Sequence, residues 1–262
     1  MSTQDTFISH LMELRDRLLR CIFAIAMVFF ALVFWAKELY ALLAKPLLAA
    51  LPQGGQMIAT DVVGVFLVPI KVTALVAFVA ALPYVLYQIW AFVAPGLYAH
   101  EKRLVLPLVI SSTMLFLAGM AFAYFLVFPL AFKVLASFAP EGVAWMTDID
   151  KYFSFVLTLF IVFGITFEIP VAVVLLVRMG VVSVEKLKEI RSYVIVGAFV
   201  IGAVFTPPDV ISQLLLAVPL WLLYEIGILV ARVLVKPQPA EDEPHALGAT
   251  EPERVEAEQK KD

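Results

Sequence analysis

Long apolar stretches, separated by short charged or proline-containing segments, dominate the chain. About 20 residues of helix cross the hydrocarbon core of a bilayer, so each long stretch predicts a membrane span. We place the spans at about 18–37, 70–94, 104–132, 152–177, 193–206 and 210–232. The pattern predicts an all-α polytopic membrane protein, with residues 1–236 forming one six-helix membrane domain.

The fifth span is short. Tyr193–Phe205 would form about 20 Å of helix, against a hydrocarbon core of about 30 Å. The last span begins directly after the segment 206–209, which contains two prolines. Either the bilayer thins beside this helical hairpin, or other protein shields it. Alternatively, Arg191 and Ser192 simply continue the helix inward.

Basic residues set the expected orientation. With the N-terminus inside, the cytoplasmic segments carry eleven Lys and Arg residues up to Lys236, and the outer segments carry five. This asymmetry predicts that both termini are cytoplasmic. The first apolar stretch resembles a signal sequence, but Lys37 and Glu38 follow it in place of a small-residue cleavage site, which favours a retained helix. Residues 237–262, rich in Glu, Pro and Ala, predict a disordered cytoplasmic tail.

Composition excludes several classes of protein. With 63% hydrophobic residues and a mean hydropathy of +0.97, the chain is not a soluble globule. It has no nucleotide-binding loop, no HExxH motif and no cysteine cluster, so we expect no enzyme activity, no cofactor and no metal site. No basic stripe suggests nucleic acid. Cys21 is the one cysteine, which excludes an intrachain disulfide.

Glu168 is the one charged residue within the span Tyr152–Val177. An ionised carboxylate there costs about 2.5–3.5 kcal/mol even on insertion scales. Pro170 leaves the carbonyl of Thr166 without its helical partner, so we expect a kink that turns Glu168 and Thr166 into the bundle. The carboxylate is then either a protonation site for transport or a polar docking group.

Two further carboxylates lie on the predicted cytoplasmic face. Glu13 belongs to an amphipathic helix that runs into the first span, and its spacing from Arg17 is typical of an i,i+4 ion pair. Glu101 lies in the turn before the third span, where the helix dipole favours an acid. Spacing alone favours ordinary surface acids, although a basic inner face is a suitable place to receive a cationic peptide.

The last span carries two polar residues. Gln213 is open to two interpretations, an interhelical hydrogen bond or a contact with a partner. Glu225 lies near the inner end, and we expect it at the interface, with Arg232 two turns further along the helix.

Several separated segments carry a family resemblance. They are HLMELRDRL at 10–18, MIATDVVGVF at 57–66, YQIWAFVAPGLYAHEKR at 87–103, FGITFEIPV at 163–171 and FTPPDVISQ at 205–213. In this order, with six spans and a short last hairpin, the chain resembles the TatC family, the multispanning receptor subunit of the twin-arginine protein translocase. The resemblance runs from about Phe7 to Arg232, and it implies a concave, glove-like bundle.

The resemblance implies roles for individual residues. Glu13 and Glu101 match the family's acids that bind the paired arginines of signal peptides, and Arg15 and Arg17 match positions that orient them. Phe92 matches a position beside the signal-binding loop, and Pro46 one in the outer cap. Asp16 departs from the basic residue expected in close relatives.

The resemblance also extends to the membrane interior. Thr206 and Gln213 match a polar patch where the single-span partners TatB and TatA dock. Glu168 matches a glutamate that contacts the inserted signal peptide or a polar residue of the partner.

The implied function is that of a core receptor in the bacterial cytoplasmic (inner) membrane. It would bind twin-arginine signal peptides of folded precursors within the lipid bilayer, self-associate, and nucleate a translocase driven by the proton-motive force. A proton-coupled secondary transporter that uses Glu168 is the alternative, but such a transporter should show internal repeats, and the sequence has none. A structural scaffold, the other alternative, would leave Glu13, Glu101 and Glu168 freely replaceable.

Overall fold

The computed structural model describes residues 3–49, 56–93, 105–137, 146–206 and 210–234. This part of the chain is helical apart from two short strands and a few turn and loop residues. The helices and strands are α1 (Thr3–Leu32), α2 (Ala36–Ala49), β1 (Gln56–Ile58), α3 (Val62–Val93), α4 (Val105–Phe122), α5 (Phe128–Ser137), β2 (Met146–Asp148), α6 (Ile149–Phe167), α7 (Ile169–Arg178), α8 (Val184–Glu189), α9 (Arg191–Phe205) and α10 (Val210–Leu234).

Five helical stretches in the described ranges are long and apolar enough to cross a membrane. They are Ile8–Ala44, Val62–Val93, Val105–Val134, Ile149–Arg178 and Val210–Leu234. Helix α9 is also apolar but has only 15 residues. The predicted helical, multi-pass membrane fold is therefore confirmed, and its fifth helix is short, as expected.

The stretch from α6 to α7 is interrupted at Glu168. Pro170 has no N–H to donate, and the Glu168 N–H turns back to the carbonyl of Ile165 at 3.0 Å. The regular ladder resumes where the Ala172 N–H donates to the carbonyl of Glu168 at 2.9 Å. The break that Pro170 predicted is present, and it lies at the charged residue itself.

Two glycines allow α4 and α6 to approach closely. A Cβ on Gly119 would lie 2.4 Å from the backbone oxygen of Phe163, and one on Gly164 would lie 2.4 Å from the ring of Phe116. Small residues of this kind let membrane helices pack backbone to backbone. A core rich in aromatic side chains surrounds this contact, including the buried rings of Phe128, Phe153 and Phe163. The face of α4 that meets Glu168 is fixed by this packing.

Strands β1 and β2 form a parallel pair beside the N-terminus of α3. Gln56 pairs with Met146 and Ile58 with Asp148. The Asp148 carboxylate caps α6 by accepting from the N–H groups of Asp150 and Lys151, and it also accepts from the hydroxyl and N–H of Thr60. These hydrogen bonds, that of the Thr60 hydroxyl foremost, lower the pKa of Asp148 to about 2. The sequence analysis did not predict this strand pair.

Candidate functional site

Glu13 and Arg17 pair on the side of α1 that faces α3, where both are half-buried. Arg17 donates from Nε and Nη2 to the same oxygen of Glu13, Oε1, at 2.9 and 2.7 Å. The pairing predicted from their i,i+4 spacing is confirmed. Because Arg17 uses two donors on one carboxylate oxygen, it holds the Glu13 side chain in one orientation.

Arg17 is itself fixed by a second helix. Its Nη1 donates to Oε1 of Gln88 in α3 at 3.1 Å, and Gln88 is buried. The Arg17 side chain is 20% exposed, and that of Glu13 is 41% exposed. Arg17 therefore lies underneath and the acid lies outside. Gln88 is separated from Arg17 by 71 residues, so helical spacing gave no sign of this contact.

The second oxygen of Glu13 faces an aromatic pair. Oε2 lies 4.0 Å from Nδ1 of His10, and the His10 ring stacks on Phe92 with centroids 4.4 Å apart and planes 16° apart. Within the described part of the chain, Glu13 Oε2 accepts no hydrogen bond. The fold thus brings Glu13 and Phe92 to one surface, with His10 between them. The sequence analysis did not predict a role for His10.

The other residues that were expected near Glu13 do not all lie beside it in the described structure. Arg15 pairs with Asp16 at 2.8 Å, and both side chains are well exposed. It therefore makes its ion pair with Asp16, whereas Arg17 is the residue that orients Glu13. Glu101 lies outside the described residues. Pro46 falls within α2, and its side chain also lies outside the described part.

Glu168 lies between α6 and α7 with both carboxylate oxygens buried. The hydroxyl of Ser112 in α4 is close enough to interact with the carboxyl group, but neither oxygen completes a hydrogen bond of normal geometry with any described residue. Ser112 in turn accepts from Nε1 of Trp90 in α3 at 3.0 Å. Thr166 is also buried. The carboxylate therefore faces the packed helices, as the kink predicted.

Thr206 and Gln213 lie on the two sides of the α9–α10 hairpin. Nε2 of Gln213 donates to the carbonyl of Phe199 at 2.8 Å, and the Thr206 hydroxyl donates to the carbonyl of Gly202 at 2.8 Å. A Cβ on Gly202 would lie 3.0 Å from Cγ of Gln213. The interhelical hydrogen bond considered for Gln213 is therefore present. Among the described residues, the amide N–H of Gln213 is the group that makes this contact, and Oε1 can accept a hydrogen bond from another chain.

The other end of the same hairpin contains a contact that the sequence analysis missed. Arg191 Nη2 lies 2.6 Å from Oε2 of Glu225, and the Tyr224 hydroxyl donates to the carbonyl of Leu187 at 2.7 Å. Glu225 was expected near Arg232, but its ion-pair partner is Arg191. Arginine and glutamate are both costly near the membrane interior, and this cost could have suggested a pair.

No group of three or more His, Cys, Asp or Glu side chains that could hold a metal occurs in the described ranges. The polar groups described at the site are carboxylates, guanidinium groups and amides. Such groups recognise charged or polar ligands through hydrogen bonds.

Comparison with known proteins identifies the family. The chain matches the family described as Sec-independent protein translocase protein (TatC) over residues 9–219. It is 56% identical over 237 residues to the Sec-independent protein translocase protein TatC of Escherichia coli K12, covering 90% of this chain and 92% of that one. With the Haemophilus influenzae protein of the same name, it shares 51% identity over 248 residues, covering 95% and 96% of the two chains.

Solved structures agree with the sequence comparison. A crystal structure of the twin-arginine translocase receptor TatC superposes with a TM-score of 0.77 at 41% identity, covering 86% of this chain and 98% of that chain. A second crystal structure of TatC, in the detergent DDM, gives a TM-score of 0.76. On these grounds the chain belongs to the TatC family of multi-pass membrane proteins, components of the Sec-independent protein translocase.

Proposed function

We propose that this chain is the receptor that binds twin-arginine signal peptides of folded precursors and nucleates assembly of the translocase. It acts without covalent chemistry in the bacterial cytoplasmic membrane, with both termini cytoplasmic, and the proton-motive force drives export. The geometry of Glu13 is the observation that carries this proposal.

Glu13 is prepared for a guanidinium ligand. Arg17 holds Oε1 and is anchored on Gln88, so the carboxylate is oriented before any peptide arrives. Oε2 faces outward beside His10 and Phe92. An incoming arginine can donate a charge-assisted hydrogen bond to Oε2, and such bonds are among the strongest that side chains make. Preorganisation of the acceptor adds affinity because less side-chain freedom is lost on binding.

Two acids account for a requirement for two arginines. The family resemblance pairs Glu13 with Glu101, and each carboxylate would receive one guanidinium. Lysine is a compact point charge and cannot reproduce the planar fork of donors, so it is a poorer ligand at such a site. Phe92, stacked on His10, supplies an apolar surface beside Glu13.

Deeper contacts follow in the membrane. Glu168 is the polar group available to an inserted signal segment or to a partner helix, since its oxygens have no partner of normal geometry among the described side chains. The single-span subunits TatB and TatA dock at Thr206 and Gln213, where Oε1 of Gln213 can accept a hydrogen bond. Self-association of the receptor completes the complex.

Peptide binding to the purified protein tests this proposal. A labelled twin-arginine signal peptide is titrated against the wild-type chain, the Glu13→Gln variant and the Asp16→Asn variant in detergent. Asp16 is the matched control, because it is an exposed acid on the same helix that pairs with Arg15. We expect Glu13→Gln to weaken binding about tenfold or more, the effect of losing a charge-assisted hydrogen bond. Equal affinities of Glu13→Gln and wild type would contradict the proposal.

A further inference from the structure

An apolar groove of about 670 Å³ lies between α1 and α3. Phe23 and Met27 of α1 line one side, and Ala80 and Ala81 of α3 line the other. Volumes of 300–1,000 Å³ are typical of sites that hold small molecules. Among the described residues that line this groove, none has a role in the function proposed above.

Two polar side chains, those of Arg20 and Tyr84, line the groove at the same level. Arg17 of α1 contacts Gln88 of α3, and the two helices run in opposite directions. Arg20 lies three residues beyond Arg17, and Tyr84 lies four residues before Gln88, so both are about one turn deeper than this contact. Cys21, the next residue of α1, packs against α3 in a buried cluster at this level. The polar groups are therefore gathered at one end of the groove.

Arg20 is the cation of α1 that is available to an external anion. Arg15 pairs with Asp16, and Arg17 pairs with Glu13. Asp16 has the i,i+4 spacing for an ion pair with Arg20, but it binds Arg15 instead. Within the described ranges the guanidinium of Arg20 makes no ion pair or hydrogen bond. Since the apolar run 21–36 follows it directly, this charge lies at the boundary of the hydrocarbon core.

The remainder of the groove suits an acyl chain. Tyr84 is 42% exposed, and its hydroxyl, which has no hydrogen bond in the part of the chain described, can donate to an oxygen of a ligand. From Arg20 to Val28 the lining extends about 12 Å along α1, and it is apolar beyond the two polar side chains. Half of the hydrocarbon core is about 15 Å thick. An occupant should thus be apolar over one leaflet and anionic at its end.

We infer that this groove binds one anionic phospholipid, with its phosphate at Arg20 and Tyr84 and an acyl chain against Phe23 and Met27. A guanidinium and a phosphate form strong, charge-assisted hydrogen bonds. A second copy of the chain is a less suitable occupant, because a two-fold interface places the same surface of both copies together and would bring two Arg20 side chains to one level. The inference does not depend on the proposed receptor function, because lipid binding is measured without a signal peptide.

Native mass spectrometry of the full-length protein tests the inference. The protein is equilibrated in detergent with equal amounts of phosphatidylglycerol and phosphatidylcholine of identical acyl chains. We expect wild type to retain phosphatidylglycerol preferentially, and Arg20→Gln to lower this retention about fivefold, the factor for one basic residue near anionic lipid. Arg20→Lys keeps the charge and should retain most of the lipid. Equal retention of the two lipids by wild type would overturn the inference.

A tryptophan placed in the groove locates the bound lipid. Ala80 is exposed, so Ala80→Trp fills the groove without changing the core. This variant should lower retention of both lipids, and Arg20→Gln should then have no further effect, because both changes act on the same lipid. Two controls should retain lipid as wild type does. Val196→Trp adds an indole at an exposed position of α9, and Lys186→Gln removes an exposed cation outside the groove.

Two results with the Ala80→Trp variant would contradict the inference. If Arg20→Gln still lowers retention about fivefold when the tryptophan is present, the arginine attracts lipid outside the groove. If Ala80→Trp converts a dimer into a monomer and leaves lipid retention unchanged, the groove holds a second copy of the chain.

Discussion

Arg191 at the start of α9 and Glu225 in α10 form an ion pair of 2.6 Å between residues 34 positions apart. Gln213, in the first turn of α10, donates to the carbonyl of Phe199 in the middle of α9. The short fifth helix is therefore held against the last helix at its first residue and again at its middle. This explains how 15 residues keep a defined position beside longer helices.

The Arg191–Glu225 pair should contribute measurable stability. Both side chains are partly buried, at 43% and 25% exposure, so the pair is stronger than a typical surface pair. A double-mutant cycle with Arg191→Gln and Glu225→Gln should give a coupling free energy of about 1 kcal/mol by denaturant unfolding in mixed micelles. Strictly additive effects of the two changes would show that the ion pair contributes no coupling free energy.

Gly119→Ala should destabilise the protein by about 1–3 kcal/mol, the usual cost of overpacking. The new Cβ would meet the backbone oxygen of Phe163, which cannot move without shifting α6. Gly197→Ala is the control, because a Cβ there meets nothing within 4 Å, and alanine favours the helix. Thermal unfolding of the purified variants measures both. A lower unfolding temperature for Gly197→Ala than for Gly119→Ala would contradict the packing described here.

Because Asp148 caps α6 as a carboxylate, the unfolding temperature of the protein should depend on pH in the acidic range. Folding lowers the pKa of Asp148 from 3.8 to about 2, so its contribution is present above about pH 4 and is lost as the pH falls towards 2. Asp148→Asn should flatten the fall in unfolding temperature over this range. Thr60→Val, which removes the hydroxyl that donates to Asp148, should flatten it partly. An unchanged acid profile in both variants would rule out this linkage.

Glu168→Gln separates the docking role from proton transport. Glutamine keeps a polar group that can hydrogen-bond to an inserted segment, but it cannot carry a proton. We expect the variant to retain most export of a folded twin-arginine substrate in a strain that lacks the native protein. Glu168→Leu, which removes the polar group, should export less than Glu168→Gln. Complete loss of export in Glu168→Gln, with normal protein levels, would favour the transporter alternative.

Local pattern predicted a good part of the architecture. Apolar length predicted the helices, Pro170 predicted the break at Glu168, and the i,i+4 spacing predicted the Glu13–Arg17 pair. Each of these depends on residues close in sequence, whose geometry a helix sets directly. The short fifth helix could likewise be predicted by counting residues.

Contacts between distant segments could not be predicted in the same way. Arg17 meets Gln88, and Arg191 meets Glu225, because particular faces of packed helices come together. The strand pair arises from two segments 90 positions apart in sequence, each three residues long, too short for an alternating pattern to be recognised. The stacking of His10 on Phe92 has the same origin. These contacts depend on which faces of the helices pack together, and helical periodicity in the sequence does not indicate that.

A binding cycle between protein and peptide tests the central claim, that Glu13 receives an arginine of the signal peptide. Wild type and Glu13→Gln are each titrated with a twin-arginine peptide and with peptides in which either arginine is lysine. For the arginine that Glu13 receives, we predict that lysine costs wild type about tenfold in affinity and costs Glu13→Gln little, because the carboxylate that distinguishes the two is gone. An equal loss in both proteins at each position would contradict the account.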